Sequence, residues 1–133
     1  TENLPGAMAM AAALESGRDW MGRVQQQRQW LETALVQFGG VILGDGVDRI
    51  ATVGAVRMPG VSAAAQLIRF DGMGIAVSAG SACSSGSLKT SHVLGAMAVE
   101  GASEVIRVSI GRETADADLQ RFIDAWRAIA GRS

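Results

Sequence analysis

The sequence has 133 residues, enough for one domain with its own core and too few for two ordinary ones. Hydrophobic residues make up 48% and charged residues 19%, which excludes a disordered tail. With 12 basic and 13 acidic residues, a formal net charge of −1 and only 5% aromatics, no nucleic-acid partner is expected.

Taken in chain order, Asn3 can cap a first helix and Pro5 is tolerated in its first turn. Ala7, Met8, Ala11, Ala12 and Leu14 give that helix a small apolar face. The stretch is too short to span a membrane and lacks the basic flank of a signal peptide. Gly17 and Gly22 weaken the middle and predict a kink or a split. Helical spacing resumes with Trp20, Val24, Leu31, Leu35 and Phe38, and ends at Gly39-Gly40. Trp20 and Trp30 are expected to pack against the rest of the domain.

Residues 41–43 read as a short strand closed by the turn Gly44-Asp45-Gly46. Residues 49–58 read as a second strand, stopped by Pro59-Gly60. Ser62 can cap a helix with Ala63, Ala64, Leu67 and Ile68 at its apolar positions, ending near Asp71-Gly72. The apolar run 75–77 predicts a buried strand, followed by a loop of Gly, Ser and Ala with Cys83 at its centre. Weak order is expected over residues 80–87, since small residues leave a backbone free to move.

Cys83 is the only cysteine, so it cannot form an internal disulfide and is either an inert thiol or a reactive one. A single unpaired thiol suits a reducing cytoplasm. Beyond the loop, Thr90 or Ser91 can cap a helix carrying Val93, Leu94 and Met97, with His92 in its first turn as a solvated or capping residue.

Residues 104–110 alternate, with Ile106, Val108 and Ile110 on one face and Val105, Arg107 and Ser109 on the other. Arg107 in mid-strand reads as a solvated position or as an anion ligand whose planar fork suits a carboxylate. Thr114 is expected to cap a last helix, with Asp116 and Asp118 in its first turn and Leu119, Phe122, Ile123, Trp126 and Ile129 as its buried stripe. The order of elements predicts an α/β (α+β) domain: a small sheet of about four short strands with helices packed on one face. No internal repeat, metal-ligand cluster or phosphate loop stands out in the sequence.

The run Val77-Ser78-Ala79-Gly80-Ser81-Ala82-Cys83-Ser84-Ser85-Gly86-Ser87-Leu88, followed by Ser91-His92-Val93-Leu94, closely resembles the active-cysteine loop of cysteine desulfurases of the NifS/IscS type. Thr1-Glu2-Asn3-Leu4-Pro5-Gly6 is similar to the family segment that follows an Arg-Ser-Gly. Ile106-Arg107-Val108-Ser109-Ile110-Gly111-Arg112, with Thr114, is similar to its late strand. The three segments occur in the family order and together span nearly the whole chain.

The resemblance implies the class V aminotransferase group and the aspartate-aminotransferase-like fold of pyridoxal 5′-phosphate enzymes. Residues 1–133 would then form its C-terminal small domain, a reading that agrees with the abrupt start at Thr1. It further implies that Cys83 takes the sulfur of L-cysteine as a persulfide, releasing alanine, and hands it to an acceptor such as an iron–sulfur scaffold protein. Arg107 matches the arginine that holds the substrate carboxylate. Thr1 matches a threonine that reaches the cofactor phosphate of the other subunit of a homodimer. The Schiff-base lysine of the family lies in its large domain. Lys89 does not match it, and His92 does not match the histidine stacked on the cofactor ring. The isolated chain is therefore expected to be inactive. Two alternatives are a non-enzymatic sulfur-carrier module and a class V relative acting on selenocysteine or another amino acid. Neither a metal nor a membrane partner is implied.

Overall fold

The computed structural model describes residues 2–17, 19–80 and 91–131. Cys83, Thr1, Lys89 and the part of the weak-order expectation beyond Gly80 lie outside them.

The Asn3 side chain accepts a hydrogen bond from Gly6 N at 3.0 Å and starts helix α1, Leu4–Ser16. The expected split falls at Gly17, not at Gly22, which is absorbed near the start of helix α2, Met21–Gln37. Both α2 and its exit follow local rules. Val24, Arg28, Leu31 and Leu35 share its buried face. Past Phe38, Gly39 N donates to Val36 O at 2.9 Å and Gly40 N to Leu35 O at 2.8 Å, closing the helix in a Schellman motif.

Strands β1 (Val41–Ile42), β2 (Val53–Arg57), β3 (Ser78–Ala79) and β4 (Val105–Ser109) form an antiparallel sheet in the order β1-β2-β4-β3. Helices α3 (Ala63–Gly72), α4 (His92–Ala96) and α5 (Asp116–Ala130) complete the chain, with one 3-10 turn at Ala102–Glu104. Val56, Ile106, Val108 and Ile110 point from the sheet into a core shared with α2, α3 and α5. Its centre is aromatic: Phe70 stacks on Phe122 at 4.9 Å, and Phe122 meets Trp126 at 6.2 Å. The expected architecture, about four short strands with helices on one face, is the one observed.

Several local expectations need correction. The second strand is shorter than residues 49–58, because Arg49 is drawn into a two-bond contact with Glu32 and the Ala51 carbonyl accepts from Arg28. The 75–77 run is not paired as a strand. Ile75 N donates to Phe70 O at 2.9 Å, which ties it to the end of α3, and the pairing begins only at Ser78. Ile75 and Val77 still pack against the core as an extended lead-in.

In α3 the buried positions are Ala63, Gln66 and Phe70, while Ile68 is 74% exposed. Trp20 packs at the core edge as expected, but Trp30 sits beside the buried stripe of α2 and is 40% exposed. Finally, the residue capping α5 is Ala115, not Thr114. Thr114 Oγ1 instead accepts from Gly111 N at 2.9 Å, and the Asp118 carboxylate accepts from Ala115 N at 2.9 Å. Every residue expected in the α5 stripe is buried.

Candidate active site

Helices α2, α3 and α5 cover one face of the sheet, and the odd-numbered residues of β2 and β4 form the other. Val53, Ala55 and Arg57 alternate with the core-facing Gly54 and Val56, as Val105, Arg107 and Ser109 do with Ile106 and Val108. Arg107 is at the middle of β4, opposite Ala55 on β2 and Ser78 on β3. Both neighbours are small, so the half-buried guanidinium stands on a rigid, doubly paired strand with low walls on either side. The planar fork of a guanidinium suits two-point recognition of a carboxylate.

Strand β3 links this position to the cysteine. Ser78 is five residues from Cys83, a tether of at most about 18 Å when fully extended. The chain leaves β3 at Gly80, whose φ of 67° lies in the left-handed region that glycine enters at no steric cost. It re-enters the described part at Ser91, which stands just before the five-residue helix α4 and makes no side-chain capping hydrogen bond; His92 is exposed in its first turn, as expected.

A second charged group borders Arg107. The Arg57 Nε donates to Glu104 Oε2 at 2.9 Å, and Gly60 N donates to Glu104 Oε1 at 3.1 Å. The main chain of Glu104 is also gripped, its carbonyl accepting from Met58 N at 3.2 Å and from Gln66 Nε2 at 2.7 Å. Glu104 thus joins β2, the Pro59-Gly60 turn, α3 and the start of β4. The sequence pattern gave no sign of this, because the partners are 38 to 47 residues apart.

Behind the sheet, Arg28 is only 6% exposed. Its Nε donates to Ala51 O and its Nη2 to Val108 O, both at 2.9 Å. Burial pushes its pKa down, opposed by the nearby Glu32 carboxylate. Glu32 in turn accepts two bonds from Arg49, which hold the Arg49 pKa up. A signal for Arg28 was present, since position 28 falls on the same helical stripe as Val24, Leu31 and Leu35.

The described residues do not by themselves fit pyridoxal phosphate. They include no lysine to bind its aldehyde. The buried polar atoms left without a partner among them, Gln66 Oε1, Trp126 Nε1 and Arg127 Nε, belong to helices on the covered side of the sheet, away from Arg107. What this face offers is the cationic side chain of Arg107 between two small residues. Among the described residues there is also no group of three or more His, Cys, Asp or Glu side chains able to hold a metal, and no helix long and apolar enough to cross a membrane.

Comparison with known proteins places the chain in a family. The chain is 37% identical over 140 aligned positions to a cysteine desulfurase of Gluconacetobacter diazotrophicus, covering 99% of this chain and 35% of that protein. It is 36% identical to a cysteine desulfurase of Rhodobacter capsulatus, covering 92% of this chain and 34% of that one. Among solved structures it is similar to a NifS-like protein from Rickettsia africae, with a TM-score of 0.69 and 29% identity over 80% of this chain and 28% of the other. A second NifS-like protein shares the fold over 98% of this chain and 34% of its own, with a TM-score of 0.80 at 24% identity. The chain therefore spans about a third of the length of the relatives it matches. The aminotransferase class-V family matches residues 1–122, and with the fold and the late-strand arginine both in place, the chain belongs to that family.

Proposed function

We propose that residues 1–133 are the C-terminal small domain of a pyridoxal-phosphate-dependent cysteine desulfurase, and that they supply two of its working groups. Arg107 binds the carboxylate of L-cysteine, and Cys83 receives its sulfur. The observation that carries this reading is the direct pairing of Arg107 with Ser78, which begins the short tether to Cys83. The relatives named cysteine desulfurase support the reaction class.

In this reading the substrate carboxylate lies on the Arg107 fork, between the low walls of Ala55 and Ser78, and its amino-acid backbone is held against the rigid sheet. The Cys83 thiolate forms a new S–S bond with the substrate sulfur while the carbon–sulfur bond of the substrate breaks, its electron pair staying on the carbon, which takes up a proton. The net products are a Cys83 persulfide and alanine. The persulfide then passes to an acceptor such as an iron–sulfur scaffold protein in the cytoplasm.

The cofactor and its lysine belong to polypeptide corresponding to the other two thirds of the relatives' length, so the isolated chain is inactive. The complete enzyme is a homodimer in which Thr1 reaches the cofactor phosphate of the other subunit. A sulfur-carrier module without a cofactor would leave Arg107 with no substrate to bind.

Arg107→Ala in the complete polypeptide tests the reading through steady-state alanine formation. The expected result is a KM for L-cysteine raised by about 10- to 100-fold, the loss of one charge-assisted carboxylate contact. An unchanged KM would remove Arg107 from the substrate site.

A further inference from the structure

Two guanidinium groups project from the same face of the sheet. Arg57 is opposite Val105, and Arg107 is two residues further along β4, opposite Ala55. Same-face diagonal positions of this kind lie about 7–8 Å apart at the backbone, within reach of one ligand for side chains as long as arginine. Left uncompensated, the pair would make a doubly positive patch.

The structure cancels one of these charges. Glu104 lies on the far side of Val105 from Arg107, and its Oε2 holds Arg57 Nε at 2.9 Å. The pair is built into the fold. Both side chains are about four-fifths covered, at 21% and 23% exposure. Gly60 N takes the second carboxylate oxygen at 3.1 Å. The pair packs under Gly101, where even a Cβ would stand 2.5 Å from Arg57 Nε and 2.7 Å from Glu104 Oε2. Gly101 itself has a φ of 69°, so backbone conformation and space both reserve the position for glycine.

We propose that Glu104 is a specificity-determining residue. By drawing Arg57 toward the 101–104 turn and cancelling its charge, it keeps the sheet face selective for amino acids with one carboxylate and against those with two. Discrimination of this sort comes from denying the wrong ligand a partner as much as from binding the right one. The inference rests on the carboxylate-binding reading of Arg107. Within that reading, Glu104 acts through Arg57 and touches no substrate.

The test is competitive inhibition of alanine formation by succinate and by acetate in the complete polypeptide. It compares the parent protein with Glu104→Gln, Arg57→Met, the double variant and Arg107→Ala. Glu104→Gln keeps the shape and an acceptor oxygen while removing the countercharge. It is expected to tighten succinate by about two- to fivefold relative to acetate, the gain of one partly exposed ion pair. Adding Arg57→Met should return the ratio to the parent value, and Arg57→Met alone should leave the cysteine KM within about twofold.

If Arg107→Ala raises the cysteine KM but Glu104→Gln leaves the succinate-to-acetate ratio unchanged, the inference fails and the carboxylate reading stands. If the ratio changes in Glu104→Gln but is not restored by the second substitution, Glu104 acts on the fold alone and the proposal is overturned. An unchanged KM in Arg107→Ala overturns both.

Discussion

Replacing Arg28 by methionine separates a structural arginine from the one proposed to bind substrate. The change keeps an unbranched, helix-compatible stem of similar length but removes two donors, to Ala51 O and to Val108 O, each at 2.9 Å. A hydrogen bond from a charged donor contributes about 1.5–3 kcal/mol; the Val108 carbonyl, opposite Gly54 in the β2–β4 ladder, keeps its ladder bond, so the larger cost falls at Ala51 O. Against this, the substitution relieves the desolvation that lowers the Arg28 pKa, and Glu32 keeps its two bonds from Arg49. The net expectation is a loss of about 2–4 kcal/mol.

Because Val108 immediately follows Arg107, the loss is also felt next to the proposed substrate site. Urea denaturation followed by tryptophan fluorescence gives the number directly, since Trp126 is in the core. A loss below about 0.5 kcal/mol with an unchanged m-value would refute the claim that Arg28 anchors β4 and the segment leading into β2 through the Val108 and Ala51 carbonyls.

Three further substitutions probe other parts of the account. Trp126→Ala removes a fully buried ring from the centre of the aromatic core and should cost about 3–5 kcal/mol by the same denaturation assay. Ile68→Ser should change stability by no more than about 0.5 kcal/mol, because the side chain is 74% exposed despite its apolar spacing in α3. Gly101→Ala should cost on the order of 1–3 kcal/mol, since it both strains a left-handed backbone and pushes against Arg57 and Glu104. Adding Arg57→Ala should recover part of that loss by making room.

The elements whose patterns are local could be read well from the sequence. The α5 stripe follows one clean helical period, the alternation of residues 104–110 put Arg107 on the face away from Ile106 and Val108, and the 17–20 break falls at a glycine. What misled the pattern was tertiary competition for the same groups. Ile68 and Trp30 are as apolar as their buried neighbours, yet Gln66 and Arg28 take the inner positions because each satisfies two backbone carbonyls there. Likewise residues 75–77 have the composition of a buried strand, but the hydrogen bond from Ile75 N to Phe70 O fixes the chain to the helix end first. The Arg57–Glu104 pair had no short-range signature at all, since it depends on the register between β2 and β4.

In the proposed function, Arg107 and Cys83 belong to one reaction on L-cysteine. Its most direct test is the complete polypeptide incubated with pyridoxal phosphate and L-cysteine, with alanine release and the intact mass of the protein followed together, and with Cys83→Ser alongside. Alanine release is expected together with one added sulfur that peptide mapping assigns to Cys83, and both are expected to be lost in the variant. Added sulfur at another residue, or alanine release undiminished in Cys83→Ser, would contradict it.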